Sequence, residues 1–129
     1  MKKCIQSTRL PAPVGPYSQA VYHKGLLYLS GQISIDAKTG AIMKTDVGEQ
    51  TRRILENIKM LLEDAGSGLD KVLKCTIFLS SIDAFDSFNA VYGEYFGDQP
   101  PARITVVAQK IFGDLDVEMD AIAYVEETQ

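Results

Sequence analysis

Between Asp46 and Ala65 the apolar residues keep helical time. Val47, Thr51, Ile54, Leu55, Ile58, Leu61, Leu62 and Ala65 recur at intervals of three and four, which places them on one face of a single α-helix. Asp46 followed three residues later by Glu49 resembles a capping box, and Gly66 is a natural stop. The opposite face carries Arg52, Arg53, Glu56, Lys59 and Glu63, read most simply as solvated surface. A helix with one wide apolar face must lie against something, and the flanking sequence says what. Around it the pattern changes to runs of extended character, so the helix is expected to pack on a sheet.

Ala20–Tyr22 and Leu26–Leu29 read as two strands of a hairpin, separated by His23-Lys24-Gly25. The second run ends in Ser30-Gly31-Gln32, where a glycine after a buried strand suggests close backbone approach. Val72–Leu79 is rich in apolar and β-branched residues and reads as a buried strand. A second helix is expected over about residues 84–96, capped by Asp83 and stopped by Gly97, with Phe85, Phe88, Tyr92, Tyr95 and Phe96 on its apolar face and Asn89 on that same face. Two closing strands follow. Arg103–Gln109 alternates, with Arg103, Thr105, Val107 and Gln109 on one side. Val117–Val125 puts Val117, Met119, Ala121, Ala123 and Val125 on one face and Glu118, Asp120, Ile122 and Tyr124 on the other. Residues 110–116 are expected to join these two strands as a hairpin.

The order β-β-β-α-β-α-β-β predicts an α+β domain over residues 1-129, a mixed sheet with two helices packed on one face. The other sheet face stays partly apolar. It needs a second sheet or further subunits to cover it, and a homo-oligomer is expected. At 129 residues one domain buries a sufficient core without disulfides or a structural metal.

The bulk charge narrows the partners. A net charge of -4 disfavours general nucleic-acid binding. Cys4 and Cys75 match no metal spacing, and with His23 as the single histidine no His/Cys metal set is expected. Cys75, in an apolar run, reads as core. No apolar stretch approaches the ~20 residues of a membrane span. Met1-Lys-Lys opens no apolar signal core, so a cytoplasmic protein is expected. No serine–histidine–acid set is credible, and Gly66-Ser67-Gly68 is a helix stop rather than a phosphate loop.

Several polar residues stand in apolar places. Arg103 follows Pro100-Pro101-Ala102 at the start of a strand, and a guanidinium there can hold a planar carboxylate through two hydrogen bonds. An ion pair with Glu118 or Asp120 is the alternative. Glu118 lies between Val117 and Met119, where apolar surroundings raise a carboxyl's pKa and suit it to holding a water or moving a proton. It can equally be a solvent-facing strand residue. Asn89 can contact a substrate or tie a neighbouring loop. Tyr17 and Ser18 follow the rigid stretch Pro11–Pro16 and are placed for function or for an interface. Ser30 and Gly31 can present backbone N–H groups to a ligand.

PVGPYSQAV, LYLSGQISID followed by TG, the helix end NI-x-x-LLEDAG, NAVYGEYF, PPAR and VEMDAIA occur in this order along the chain. Together they resemble the Rid, or YjgF-like, proteins, in particular the reactive-intermediate deaminase branch, over essentially the whole sequence. The resemblance implies a chorismate-mutase-like fold and a homotrimer with three sites in the clefts between subunits. It implies cofactor-independent hydrolysis of 2-imino or 2-enamino acids to 2-keto acids and ammonia, a form of metabolite damage control beside pyridoxal-phosphate enzymes. Arg103 then matches the residue that holds the substrate carboxylate and Glu118 the acid that positions water. Tyr17, Ser30, Gly31 and Asn89 match pocket positions. Thr105 stands where cysteine is common, Phe112 where proline is usual and Asp120 where glutamate is usual. Two other functions are weighed: a non-catalytic trimer that binds a small carboxylate as a regulator, and an endoribonuclease or translation inhibitor, which the acidic balance opposes.

Overall fold

The computed structural model describes residues 1–126, so residues 127–129 of the expected domain lie outside the described residues. The chain forms a single α+β domain with strands β1 (Lys3–Ile5), β2 (Ala20–His23), β3 (Leu26–Ile33), β4 (Val72–Leu79), β5 (Ala102–Val107) and β6 (Val117–Tyr124), and helices α1 (Val47–Asp64) and α2 (Phe85–Phe96). The strands make one mixed sheet in the order β1-β2-β3-β6-β4-β5. All its pairings are antiparallel except β4 with β5. β6 is therefore inserted between β3 and β4, which run parallel to each other on either side of it.

Local chemistry explains each element. Asp46 caps α1 by accepting from the Glu49 amide at 2.8 Å. The β2–β3 hairpin turns on two residues, Lys24 (φ 49°) and Gly25 (φ 83°), the left-handed pair that suits the twist of a tight hairpin. His23 thus belongs to β2 and not to the turn. The helix α2 starts after a short 3₁₀ turn at Ile82–Ala84, and its leading cap is Ser81, whose hydroxyl accepts from the Asp83 amide at 3.1 Å. The expected Asp83 cap is thus corrected. The 3₁₀ turn moves the chain's first free amides back to Ser81.

The expected β5–β6 hairpin is also corrected. β4 lies between these strands, and residues 108–116 cross over its end. There Ala108 N–H donates to Leu79 C=O at 2.8 Å and Ser80 N–H to Asp116 C=O at 2.9 Å. The physical reason lies in the strands. β6 buries Val117, Met119, Ala121 and Ala123 and half-buries its other face, as a central strand does. β5, led in by Pro100-Pro101, leaves Ala102, Ile104, Val106 and Val107 exposed, as an edge strand does.

Both helices lie on one face, α1 on β3 and β6 and α2 beside α1. Ile54, Leu55, Ile58, Leu61 and Leu62 meet Leu27, Ile77, Leu79, Val117, Met119 and Phe88 in the core. Cys75 is fully buried, and burial pushes its thiol up to about 11, in keeping with a core role. The charged face of α1 is more than solvated surface: Arg52 pairs with Glu94 of α2 at 3.0 Å and Glu56 accepts from Tyr95 at 2.8 Å. The far face of the sheet leaves Tyr28, Ile104 and Val106 at 44%, 49% and 40% exposure, the apolar face expected to need a cover. Among the described residues no helix is long and apolar enough to cross a membrane.

Candidate active site

The sequence-predicted residues fall into two groups on opposite faces of the sheet. The first surrounds a cavity of about 850 Å³, whose lining includes Tyr17, Ser30, Gly31 and Glu118. The second consists of Arg103 and Thr105 on the helix side of β5, with Asn89 on the overlying α2.

A bulge in β3 organises the first group. Leu29 pairs with Ala121 but Gln32 pairs with Met119, so Ser30 and Gly31 together oppose Asp120. The expectation that the strand ends at Ser30 is corrected: β3 continues to Ile33. The Ser30 amide does not await a ligand either. It donates to Gln19 C=O at 3.0 Å, and the Ser30 hydroxyl donates to Ser18 C=O at 2.6 Å. Ser30 therefore fastens the segment that follows Tyr17 to the floor of the cavity. Gly31 lies against Glu118: a methyl group built on it would stand 2.6 Å from Glu118 Oε2. The carboxyl group of Glu118 passes over a residue that has no side chain. Its pKa is raised, first by burial and then by repulsion from Asp120, as a carboxyl among apolar neighbours requires. Asp120 itself is engaged, accepting from the Thr76 amide at 2.9 Å.

The loop that walls the cavity, residues 7–19, is held at both ends. Gln19 accepts from the Ser7 amide at 2.6 Å and donates to Pro11 C=O at 2.9 Å. Arg9 binds Asp64 at the end of α1 at 2.6 Å, and Ser7 donates to the same carboxylate. These contacts leave Tyr17 52% exposed at the rim, with Val14, Ile42 and Phe112 also exposed there.

In the second group, Arg103 pairs in register with Cys75 and so points to the helix side. Its guanidinium carbon lies 4.9 Å from the ring centre of Tyr92, 5.5 Å from that of Phe88 and 5.8 Å from that of Phe85. None of the ion pairs among the described residues involves Arg103. The expected alternative, a pair with Glu118 or Asp120, is excluded within one chain because their side chains leave the opposite face of the sheet. Among the described residues, Thr105, two residues on, has a buried hydroxyl with no hydrogen-bond partner, and so does Tyr92. A buried hydroxyl without a partner is uncommon, and two occur beside one unpaired cation.

Sequence reasoning missed two contributors, Gln50 and Ile42. Gln50, a polar residue of α1, is fully buried; it donates to Thr45 C=O and Asp116 and accepts from the Asp116 amide at 2.8 Å. This bond set fixes the start of β6, one residue before Val117-Glu118. Ile42 completes the apolar rim beside Phe112, which the family resemblance had already singled out; only tertiary packing brings Ile42 there. The aromatic residues of α2 were visible as an apolar face, but the guanidinium over them was not.

Comparison with known proteins gives this arrangement its relatives. The profile of the family described as Endoribonuclease L-PSP matches residues 7–125. The chain belongs to this family, the Rid or YjgF-like proteins. A RutC family protein of Pyrococcus horikoshii is 47% identical over 126 residues, covering 98% of this chain and 100% of that one. Among solved structures, a Rid family protein from Yersinia pestis superposes with a TM-score of 0.92 at 40% identity, covering 97% of this chain and 100% of the other. TdcF of E. coli, solved with bound serine, gives a TM-score of 0.89 at 33% identity, covering 96% of this chain and 99% of its own. These solved Rid family structures thus share the overall fold of this chain.

Proposed function

We propose that this Rid family member hydrolyses 2-imino and 2-enamino acids to 2-keto acids and ammonia, in sites completed between copies of the chain. One observation carries the reading: Arg103 is a half-buried cation with no carboxylate partner among the described residues, beside a buried hydroxyl, Thr105, that has no partner among them either. Such a group is suited to a planar carboxylate from outside the chain. Glu118, kept partly desolvated with a raised pKa, suits the second task of holding a water and taking its proton.

The balance of the reaction is simple. Water adds to the C=N carbon of R–C(=NH₂⁺)–COO⁻, its two protons pass in turn by way of Glu118 to the nitrogen, and the C–N bond breaks to release ammonium and R–CO–COO⁻. The iminium is already a strong electrophile, so orientation and proton handling suffice.

Arg103 and Glu118 cannot both touch one such molecule within a chain. They occupy opposite faces and are two strands apart, about 10 Å along the sheet. Closing a homotrimer brings the Arg103 side of one copy to the Glu118 side of the next, and it covers the apolar sheet face. Tyr17 and Asn89 then meet across the same cleft. The relative with bound serine supports a small amino-acid-like ligand for this fold.

The test is a coupled assay in which a dehydratase generates the imine and ammonia release is followed. Wild type should accelerate release, and Arg103→Ala should lose most of that acceleration. Binding of 2-ketobutyrate without any acceleration would replace the enzyme by a binding-only regulator.

A further inference from the structure

A guanidinium can be fixed in three ways. A carboxylate neutralises it. Hydroxyl or carbonyl acceptors occupy its N–H groups. The faces of aromatic rings do neither, because the ring quadrupole attracts the cation while the in-plane donors stay free. Arg103 uses the third. Three rings of α2 lie within 5.8 Å of its guanidinium carbon, and none of the ion pairs among the described residues involves it.

The rings are themselves immobilised. Phe88 is 0% and Tyr92 5% exposed. Phe88 and Tyr92 stack with centres 5.2 Å apart, and Tyr92 and Phe96 with centres 4.6 Å apart. The cage is a row on one helix, at i, i+3 and i+7, and α2 is tied to α1 through Arg52–Glu94 and Tyr95–Glu56.

We propose that Phe85, Phe88 and Tyr92 act as positioning residues that aim Arg103 by their ring faces, with Tyr92 dominant because its ring lies nearest. The inference rests on the reading of Arg103 as a carboxylate anchor and deepens it. It says why the anchor keeps its full charge and a free fork of donors. At position 92 the ring, whose centre lies 4.9 Å from the guanidinium carbon, is then the part of the side chain that matters.

The test uses the intact protein and 2-ketobutyrate as probe, with Kd from calorimetry. Tyr92→Phe should bind as wild type, whereas Tyr92→Leu should weaken binding by about five- to thirty-fold. Phe85→Leu, at a half-buried position where folding is safe, should weaken it by about two- to five-fold. Proton–nitrogen spectra of the unliganded protein supply a second readout. The Arg103 Nε–H signal should carry an upfield ring-current shift that Tyr92→Phe keeps and Tyr92→Leu and Phe85→Leu reduce. Unchanged affinity and an unchanged Nε–H signal in the leucine variants would overturn the cage, as would loss of binding in Tyr92→Phe. The anchor reading fails separately: it falls if Arg103→Ala binds 2-ketobutyrate as wild type does, whatever the ring-current result.

Discussion

Gly31→Ala is a perturbation of one methyl group aimed at one carboxylate. Gly31 has no left-handed backbone angle, so alanine is allowed there and the whole effect comes from contact. The added carbon would stand 2.6 Å from Glu118 Oε2 and 3.3 Å from Cδ. Ordinary van der Waals separation between such atoms is about 3.4 Å, so the oxygen must retreat by about 0.8 Å. Oε2 is the far end of a flexible side chain, and a rotamer adjustment of this kind costs about 1 kcal/mol. The melting temperature should therefore fall by only a few degrees. Catalysis is less tolerant: a misplacement near 1 Å costs about 100-fold, or about 2.7 kcal/mol in the barrier. The assay is ammonia release from a dehydratase-generated imine, read as kcat/KM, with thermal melting and 2-ketobutyrate affinity as controls. The expected result is a loss of about 100-fold in kcat/KM, with stability and ligand affinity almost unchanged because Arg103 is untouched. Wild-type kcat/KM in a folded Gly31→Ala protein would refute the assignment of Glu118 to the reaction.

Other variants separate stability from function. Gln50→Leu leaves the Asp116 amide and carboxylate short of partners at a buried site and should lower stability by about 2–4 kcal/mol in urea melts, through the start of β6. Thr105→Val removes a buried hydroxyl without a partner; melting should show equal or higher stability, while the Kd for 2-ketobutyrate rises if that hydroxyl serves the ligand as proposed. Asp120→Asn removes the charge that helps to raise the Glu118 pKa. On the proposed mechanism Glu118 acts as its carboxylate, so activity should fall as pH drops through its pKa, and the acid limb of the kcat/KM profile should move to lower pH in this variant.

The fold was legible where pattern and burial coincide. The periodicity of α1 and the alternation of β6 report one-sided burial directly, and both elements stand where they were expected. Strand order was less legible. A connection of seven residues, 110–116, is compatible with a hairpin, and only the competition between β5 and β6 for the central position beside β4 decides against it. Gln50 and Asn57 are fully buried on α1 although their type suggests surface, because their partners, Asp116 and Ile35, are distant in sequence. The site was legible as residues and not as geometry. Arg103 and Glu118 stood out as polar groups in apolar strands, and Thr105 came only from the family resemblance. Period-two alternation across non-adjacent strands does not say which of the two sheet faces each uses, and the proposal of a site shared between copies rests on that placement.

Subunit mixing tests this split most directly. Arg103→Ala and Glu118→Gln proteins are purified separately, each nearly inactive in the ammonia-release assay, then unfolded, mixed in equal amounts and refolded together. In a ring of three, each site takes its Arg103 side from one copy and its Glu118 side from the next, so random assembly restores about a quarter of the sites to wild-type composition. The account predicts recovery of about a quarter of wild-type activity in the mixture and none in either protein refolded alone. A mixture as inactive as its parents, from refolded oligomers of normal size, would contradict a site shared between copies.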